Sequence, residues 1–193
     1  MQKPEGYDDV KAFSGKIEKL PVNGYVCKIM KAEEVKSSTD KDMLKVSLDI
    51  AEGDYKGFFA EKYKNDTRDN KKWGCILNQL IYDNEGKTNR GYKALITSIE
   101  ESNGEFKVTW NEGFCNSLKS KLVGVIFREE EYEITQGKRA GEIGTSVKCA
   151  WVRSVDEIRK GNFEVPEVKR ITRKATTSDG FYPVADSDDD LPF

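Results

Sequence analysis

"MLKVSLDI", residues 43–50, decides the fold class. Leu44, Val46, Leu48 and Ile50 alternate with Met43, Lys45, Ser47 and Asp49, so one side of the run is apolar throughout. Successive side chains of a strand point to opposite sides of a sheet, and this alternation is the mark of a half-buried strand. Just upstream, "YVCKIMK" (25–31) repeats the pattern with Tyr25, Cys27 and Ile29, after turn chemistry in "LPVNG" (20–24). The polar "AEEVKSSTDKD" (32–42) between the two runs reads as a hairpin loop. Downstream, the turn "GDYKG" (53–57) leads to "FFAEKY" (58–63), read as a third strand of a meander.

Beyond residue 70 the period changes. In "NKKWGCILNQLIYDN" (70–84), Trp73, Ile76, Leu77, Leu80 and Ile81 fall at the spacing of an amphipathic helix. Two β-like pieces follow, "YKALITSIE" (92–100) and "EFKVTW" (105–110), then a helical turn around Phe114, Cys115 and Leu118. "KLVGVIFREEEYE" (121–133) and "TSVKCAWVRS" (145–154) are strong strands joined by the Gly- and cation-bearing loop "TQGKRAGEIG" (135–144). "VDEIRKG" (155–161) closes the pattern as a short helix.

This order predicts a mainly β protein. It fits an OB-like five-stranded barrel with a helix between strands 3 and 4, residues 84–120 forming an insertion, and a disordered acidic C-terminal tail. The organisation expected is an N-terminal arm over 1–20, an OB-like nucleic-acid-binding domain over 21–155, a basic linker over 156–177 and an acidic protein-interaction tail over 178–193. A β-sandwich stays open, because period-two patterning does not specify closure.

Composition narrows the chemistry. The 193 residues contain 34% charged and 37% hydrophobic side chains, with no run of the roughly 20 apolar residues that a spanning helix needs. No apolar signal segment opens the sequence, so cytoplasm is the expected location. Cys27, Cys75, Cys115 and Cys149 are far apart and set among apolar residues, which predicts structural thiols; no metal site and no cofactor is expected. Histidine is absent, which removes the commonest general base and every Ser-His or Cys-His nucleophile pair. No enzymatic activity is expected. The whole-chain charge of −2 conceals a tail of five aspartates over 178–193, so residues 1–177 carry +3. A mildly basic body with an acidic end points to a polyanion partner for the body and a different partner for the tail.

Aromatic residues interleaved with cations suit a single strand, which needs flat faces for bases and positive charge along the phosphates. The candidate contacts are Lys28, Lys45, Phe58, Lys62, Tyr63, Lys64, Arg68, Phe127, Arg128, Trp151 and Arg153. Every aromatic among them would equally suit a core position, and Lys28 and Lys45 would equally suit plain solvent-facing ones. Tyr63, set among polar neighbours, reads as the best exposed.

The final residues, "DSDDDLPF" (186–193), cannot fold alone: the aspartates repel, and three apolar residues bury too little to offset ordering. This stretch resembles the acidic tip of bacterial single-stranded DNA-binding proteins, with Asp188, Asp189, Asp190, Pro192 and Phe193 matching and Leu191 standing for isoleucine. The body, through "LPVNGYVCKIMKAEE", "GDYKG" and "WVRSVDEIRKGNFEVPEVKR", resembles phage and mobile-element single-strand binding proteins instead. The resemblance implies a protein that coats single-stranded DNA in phage replication or recombination. It also implies that Asp188, Asp189, Asp190, Leu191, Pro192 and Phe193 recruit replication and repair enzymes, with Phe193 entering a basic-rimmed pocket. A homo-oligomer is compatible with this reading. The rival readings are a carboxylate-dependent metal nuclease and a recombination mediator or DNA mimic.

Overall fold

The computed structural model describes residues 2–4, 7 and 19–171. The tail expected over 178–193, with its six tip residues, lies outside the described residues, as do most of the arm and the end of the linker. Nine elements follow in chain order: β1 (Gly24–Lys36), β2 (Asp42–Ile50), α1 (Phe58–Lys64), β3 (Ile76–Leu80), α2 (Arg90–Glu101), α3 (Phe114–Leu118), β4 (Leu122–Glu133), β5 (Ile143–Arg153) and α4 (Val155–Lys160). The five strands form one antiparallel sheet in the order β3-β2-β1-β4-β5. The protein is mainly β, and β3 and β5 are the free edges of an open sheet.

The alternation in β2 is realised as read: Leu44, Val46, Leu48 and Ile50 are buried, the last three in register with Ala32, Ile29 and Cys27 of β1. Val123, Val125 and Phe127 of β4 complete that face. The opposite face of β1 and β4 carries a smaller cluster, where Val155 and Ile158 of α4 cover Val26 and Ile126. A capping box between Ser154 and Glu157 starts α4, and Gly161 ends it in the left-handed conformation (φ 68°). Gly124 lets α4 approach, since a Cβ there would stand 2.8 Å from the carbonyl oxygens of Arg153 and Ser154.

Residues 32–36, read as part of a hairpin loop, extend β1, and four further stretches differ from the sequence reading. Residues 58–63 are helical, not a third strand. Phe59 and Tyr63 stand one turn apart, Ala60, Glu61 and Lys62 are good helix formers, and Asp49 caps the helix from outside. Its buried carboxylate accepts from the Phe59 N–H at 3.0 Å and the Ala60 N–H at 3.3 Å. The third strand is instead Ile76–Leu80, inside the stretch read as a helix; it pairs with Met43–Ser47 and turns Leu77 to the core. Residues 92–100 belong to α2, whose Tyr92, Leu95, Ile96 and Ile99 form a helical stripe; the side chain of Asn89 caps its first turn. The Tyr, Thr and Ile content of that stretch suits a strand, but burial at helical spacing decides it. The segment 105–110 is no strand: it lies back on α2, with the Val108 N–H donating to Glu100 at 3.0 Å.

Beyond Ile126, β4 outruns its pairing with β1, and the returning linker takes up that edge. The Lys169 N–H donates to the Glu129 carbonyl at 3.0 Å and its carbonyl accepts from Glu131 N–H at 2.9 Å. A sheet edge left bare there would invite pairing with another chain.

Two outcomes test this architecture. Asp49→Ala leaves helix N–H groups without an acceptor and should lower the unfolding free energy by about 2 kcal/mol in urea titration. Asp49→Asn keeps one acceptor oxygen and should cost less. Burial, followed by the neighbouring Tyr55 hydroxyl, pushes Tyr25 from 10.0 up to about 12, and its hydroxyl donates to the Pro21 carbonyl at 2.9 Å. The folded state therefore holds a proton that the unfolded chain releases near 10.0. That contribution is intact below pH 10 and should be lost as pH rises to about 12, a decline that Tyr25→Phe should make shallower in urea midpoints.

Candidate nucleic-acid interface

The two edges of the sheet come close to each other. Cys75, one residue before β3, and Cys149, within β5, place their sulfur atoms 3.5 Å apart. No β3–β5 strand pairing occurs among the described residues, and the seam between them opens into a cavity of about 340 Å³. Lys45 from β2, Asn78 from β3, Lys148 from β5 and Trp73 line it, with the two thiols and Phe127. The lining holds two cations and no carboxylate.

Trp73 is fixed by an indole N–H donated to the Leu48 carbonyl at 2.7 Å. The Tyr63 ring packs 5.5 Å from it, and Lys71 Nζ stands 4.7 Å from the centre of the Tyr63 ring. A cation–aromatic row thus continues from the cavity mouth along α1 and the loop after it. Lys62 and Lys64 are exposed on α1, with Lys62 Nζ 5.7 Å from the Phe58 ring.

The structure divides the sequence-predicted contacts. Lys45 lies at the cavity, and Tyr63, Lys62 and Lys64 lie on the adjoining row. Tyr63 is half-buried rather than the most exposed aromatic. Phe58 is half-buried in edge-to-face contact with Tyr55 and Phe59. Phe127 is a core residue, 1% exposed, stacked on Phe59 at 6.1 Å and edge-on to Tyr25, so neither face is free for a base. Arg68 is held in a forked pair with Asp66, whose carboxyl the hydrogen-bonded Arg68 side chain lowers to about 2. Arg128 sits in register with Lys148 but bonds Glu130 at 2.8 Å. Lys28 and Trp151 are exposed and Arg153 is half-buried, donating to the Val152 carbonyl; none of the three lines the cavity.

Lys148, Lys71, Asn78 and Trp73 complete the group, and none of the four stands among the contacts expected from the sequence. Lys148 was legible as the outward residue of an alternating strand, whereas Lys71, Trp73 and Asn78 were hidden by the helical reading of 70–84.

A second cavity, of about 760 Å³, lies where the β1–β2 hairpin meets α2. Trp110 there is 66% exposed on one side and stacks on Phe114 at 5.1 Å on the other. Its charges balance: Lys36 and Lys93 face Glu34 and Asp42, and Lys36 already pairs with Asp42 at 2.8 Å. Among the described residues no group of three or more carboxylates and thiols is arranged to hold a metal ion, and none of the helices is long and apolar enough to cross a membrane. Comparison with protein-family models and with curated proteins finds no match.

Proposed function

We infer that this is a single-stranded DNA-binding protein whose strand runs over the β3–β5 seam. The observation that carries the reading is the seam cavity, whose lining holds Lys45 and Lys148 and no carboxylate, with a Trp73–Tyr63–Lys71 row leading away from it. Cations follow phosphates and aromatic faces take bases, with no need for sequence readout. The strand order supports an OB-type barrel: β1, β2 and β3 form the meander, β4 and β5 the returning hairpin, and β5 would close on β3. In such barrels the face of strands 2 and 3 is the nucleic-acid surface, and Lys45 and Asn78 occupy it here. The larger cavity is less suited to a polyanion because its charges cancel. The acidic tip, by its likeness to that of bacterial single-strand binders, recruits replication and repair enzymes through Phe193.

A fluorescence titration with labelled poly-dT tests the reading. Affinity should fall with salt, and Lys45→Ala with Lys148→Ala should flatten the log–log slope by roughly 0.7 for each phosphate that is no longer neutralised. Tyr63→Ala should weaken binding by about 1–3 kcal/mol if a base stacks there. Lys36→Ala, at the charge-balanced cavity, should change nothing. Equal affinity for duplex and single strands would sink the assignment, and magnesium-dependent cleavage of the oligonucleotide would replace it with a nuclease. A body that fails to bind even without residues 186–193 would favour the mediator or mimic.

The tail has its own test. Deleting 186–193 removes four aspartates and should tighten DNA binding, most visibly at low salt. Phe193→Ala keeps those charges, so DNA affinity should hold while capture of replication enzymes collapses, an aromatic anchor typically contributing about 2 kcal/mol or more. Undiminished capture by Phe193→Ala would reduce the tip to a solubilising segment.

A further inference from the structure

We propose that Cys75 and Cys149 are a peroxide-driven disulfide site that covalently staples the β3 and β5 edges. Four free thiols are present, and this pair alone has its sulfur atoms in contact, at 3.5 Å. The two residues are 74 positions apart in sequence, so the fold itself brings them together. A disulfide forms at about 2.05 Å between sulfurs, a closure within reach of side-chain rotation when the edges already face one another. No backbone hydrogen bonds join those edges among the described residues, so a disulfide would be a direct link between them.

Access separates the roles of the two thiols. Cys149 is half-buried and lines the seam cavity, which admits a small oxidant, whereas Cys75 is 3% exposed. Its hydrogen-bonded neighbour Cys149, and then burial, push the Cys75 thiol well above its ordinary value, keeping it protonated. Cys149 therefore reacts first. Its thiolate attacks one oxygen of hydrogen peroxide, the O–O bond breaks, and the departing hydroxide is protonated to water, leaving a sulfenic acid. Cys75 sulfur then attacks the Cys149 sulfur as the S–O bond breaks. The S–S bond forms, and the leaving hydroxide takes the Cys75 proton as a second water. The two sulfurs lose two electrons and the peroxide gains them. Cys27 stands near the pair but is fully buried, Cys115 sits on α3 beside β1, and neither lines the seam cavity.

The experiment is peroxide treatment of the folded, full-length chain, removal of the peroxide, then denaturation, alkylation and non-reducing peptide mapping. It needs no DNA, so its outcome is independent of the nucleic-acid reading. The expected result is the loss of two hydrogen masses, a 75–149 cross-linked peptide, and alkylation confined to Cys27 and Cys115. Dithiothreitol should restore all four thiols. In urea the preference for 75–149 should vanish, because it comes from the fold. Cys149→Ala should leave Cys75 fully alkylatable after the same treatment. The proposal is overturned if Cys149 accumulates as sulfenic or sulfinic acid while Cys75 stays free, or if folded and unfolded chains give the same mixture of links.

Discussion

The carboxylate of Asp49 is the contact on which the rest of the functional region hangs. It is 5% exposed and accepts from its own neighbour, Ile50, and from Phe59 and Ala60 in the first turn of α1. An anionic acceptor at the start of a short helix satisfies donors that the helix cannot satisfy itself and complements its dipole. Gly57, the residue that would otherwise cap α1, has no side chain to offer. Without Asp49 the sequence 58–64 has no strong reason to be helical at that place. With it, Phe59 is driven onto Phe127, and Tyr63, one turn later, is delivered to Trp73. The adjacent residue on β2 holds the far end of the same segment, since Leu48 accepts from the Trp73 indole and donates to the Cys75 carbonyl. Residues 48 and 49 thus fix both ends of the loop that walls the seam.

That arrangement explains how the seam can stay open without unravelling. Phe127 and Phe59 close its floor with apolar surface, so water reaching the cavity does not reach the core. The cost of leaving two strand edges unpaired is moderate where the side chains above them are polar and solvated, as Lys45, Asn78 and Lys148 are. Two of them, Lys45 and Lys148, carry like charge at the same opening. A polyanion, as proposed above, would offset that like charge.

The sheet was largely legible in the sequence, and the functional region was legible only in part. The β2 alternation, β1, the long strand over 121–133 and the strand around 145–154 each rest on period-two patterning that one buried face enforces. They appear where the pattern put them, except that β1 runs on to Lys36 through residues read as a loop. The helix and strand exchanged between 58–63 and 70–84 share one cause. Both stretches are short, and their apolar residues satisfy either period, so the outcome rests on contacts distant in sequence: Asp49 for the helix, pairing with Met43–Ser47 for the strand. The error carried into the site. Lys45 could be found because its strand was right, but Lys71, Trp73 and Asn78 could not, because a helix would have spread them around its surface. Phe127 shows the opposite failure: an aromatic beside an arginine looks like a binding pair, yet alternation on β4 turns the ring inward and the guanidinium outward.

The linker adds an electrostatic argument to the proposed role of the tail. Lys169 is hydrogen-bonded to β4 on both sides, and the Ile171 N–H donates to the Glu131 carboxylate at 3.1 Å. The described chain therefore ends on the β4–β5 ribbon, the ribbon that carries Lys148 to the seam. If the acidic tail proposed above returns to the seam, its effective concentration there rises as its tether shortens toward the span it must bridge. Glu129, Glu131 and Glu133 of the same ribbon work against it, since they repel aspartates at short range. Attraction to the seam and repulsion from the ribbon both fade beyond about 8 Å at physiological ionic strength, so salt weakens the two together. The linker as far as Ile171 thus lies on a ribbon that offers the proposed tail both a cation, Lys148, and carboxylates that oppose its return.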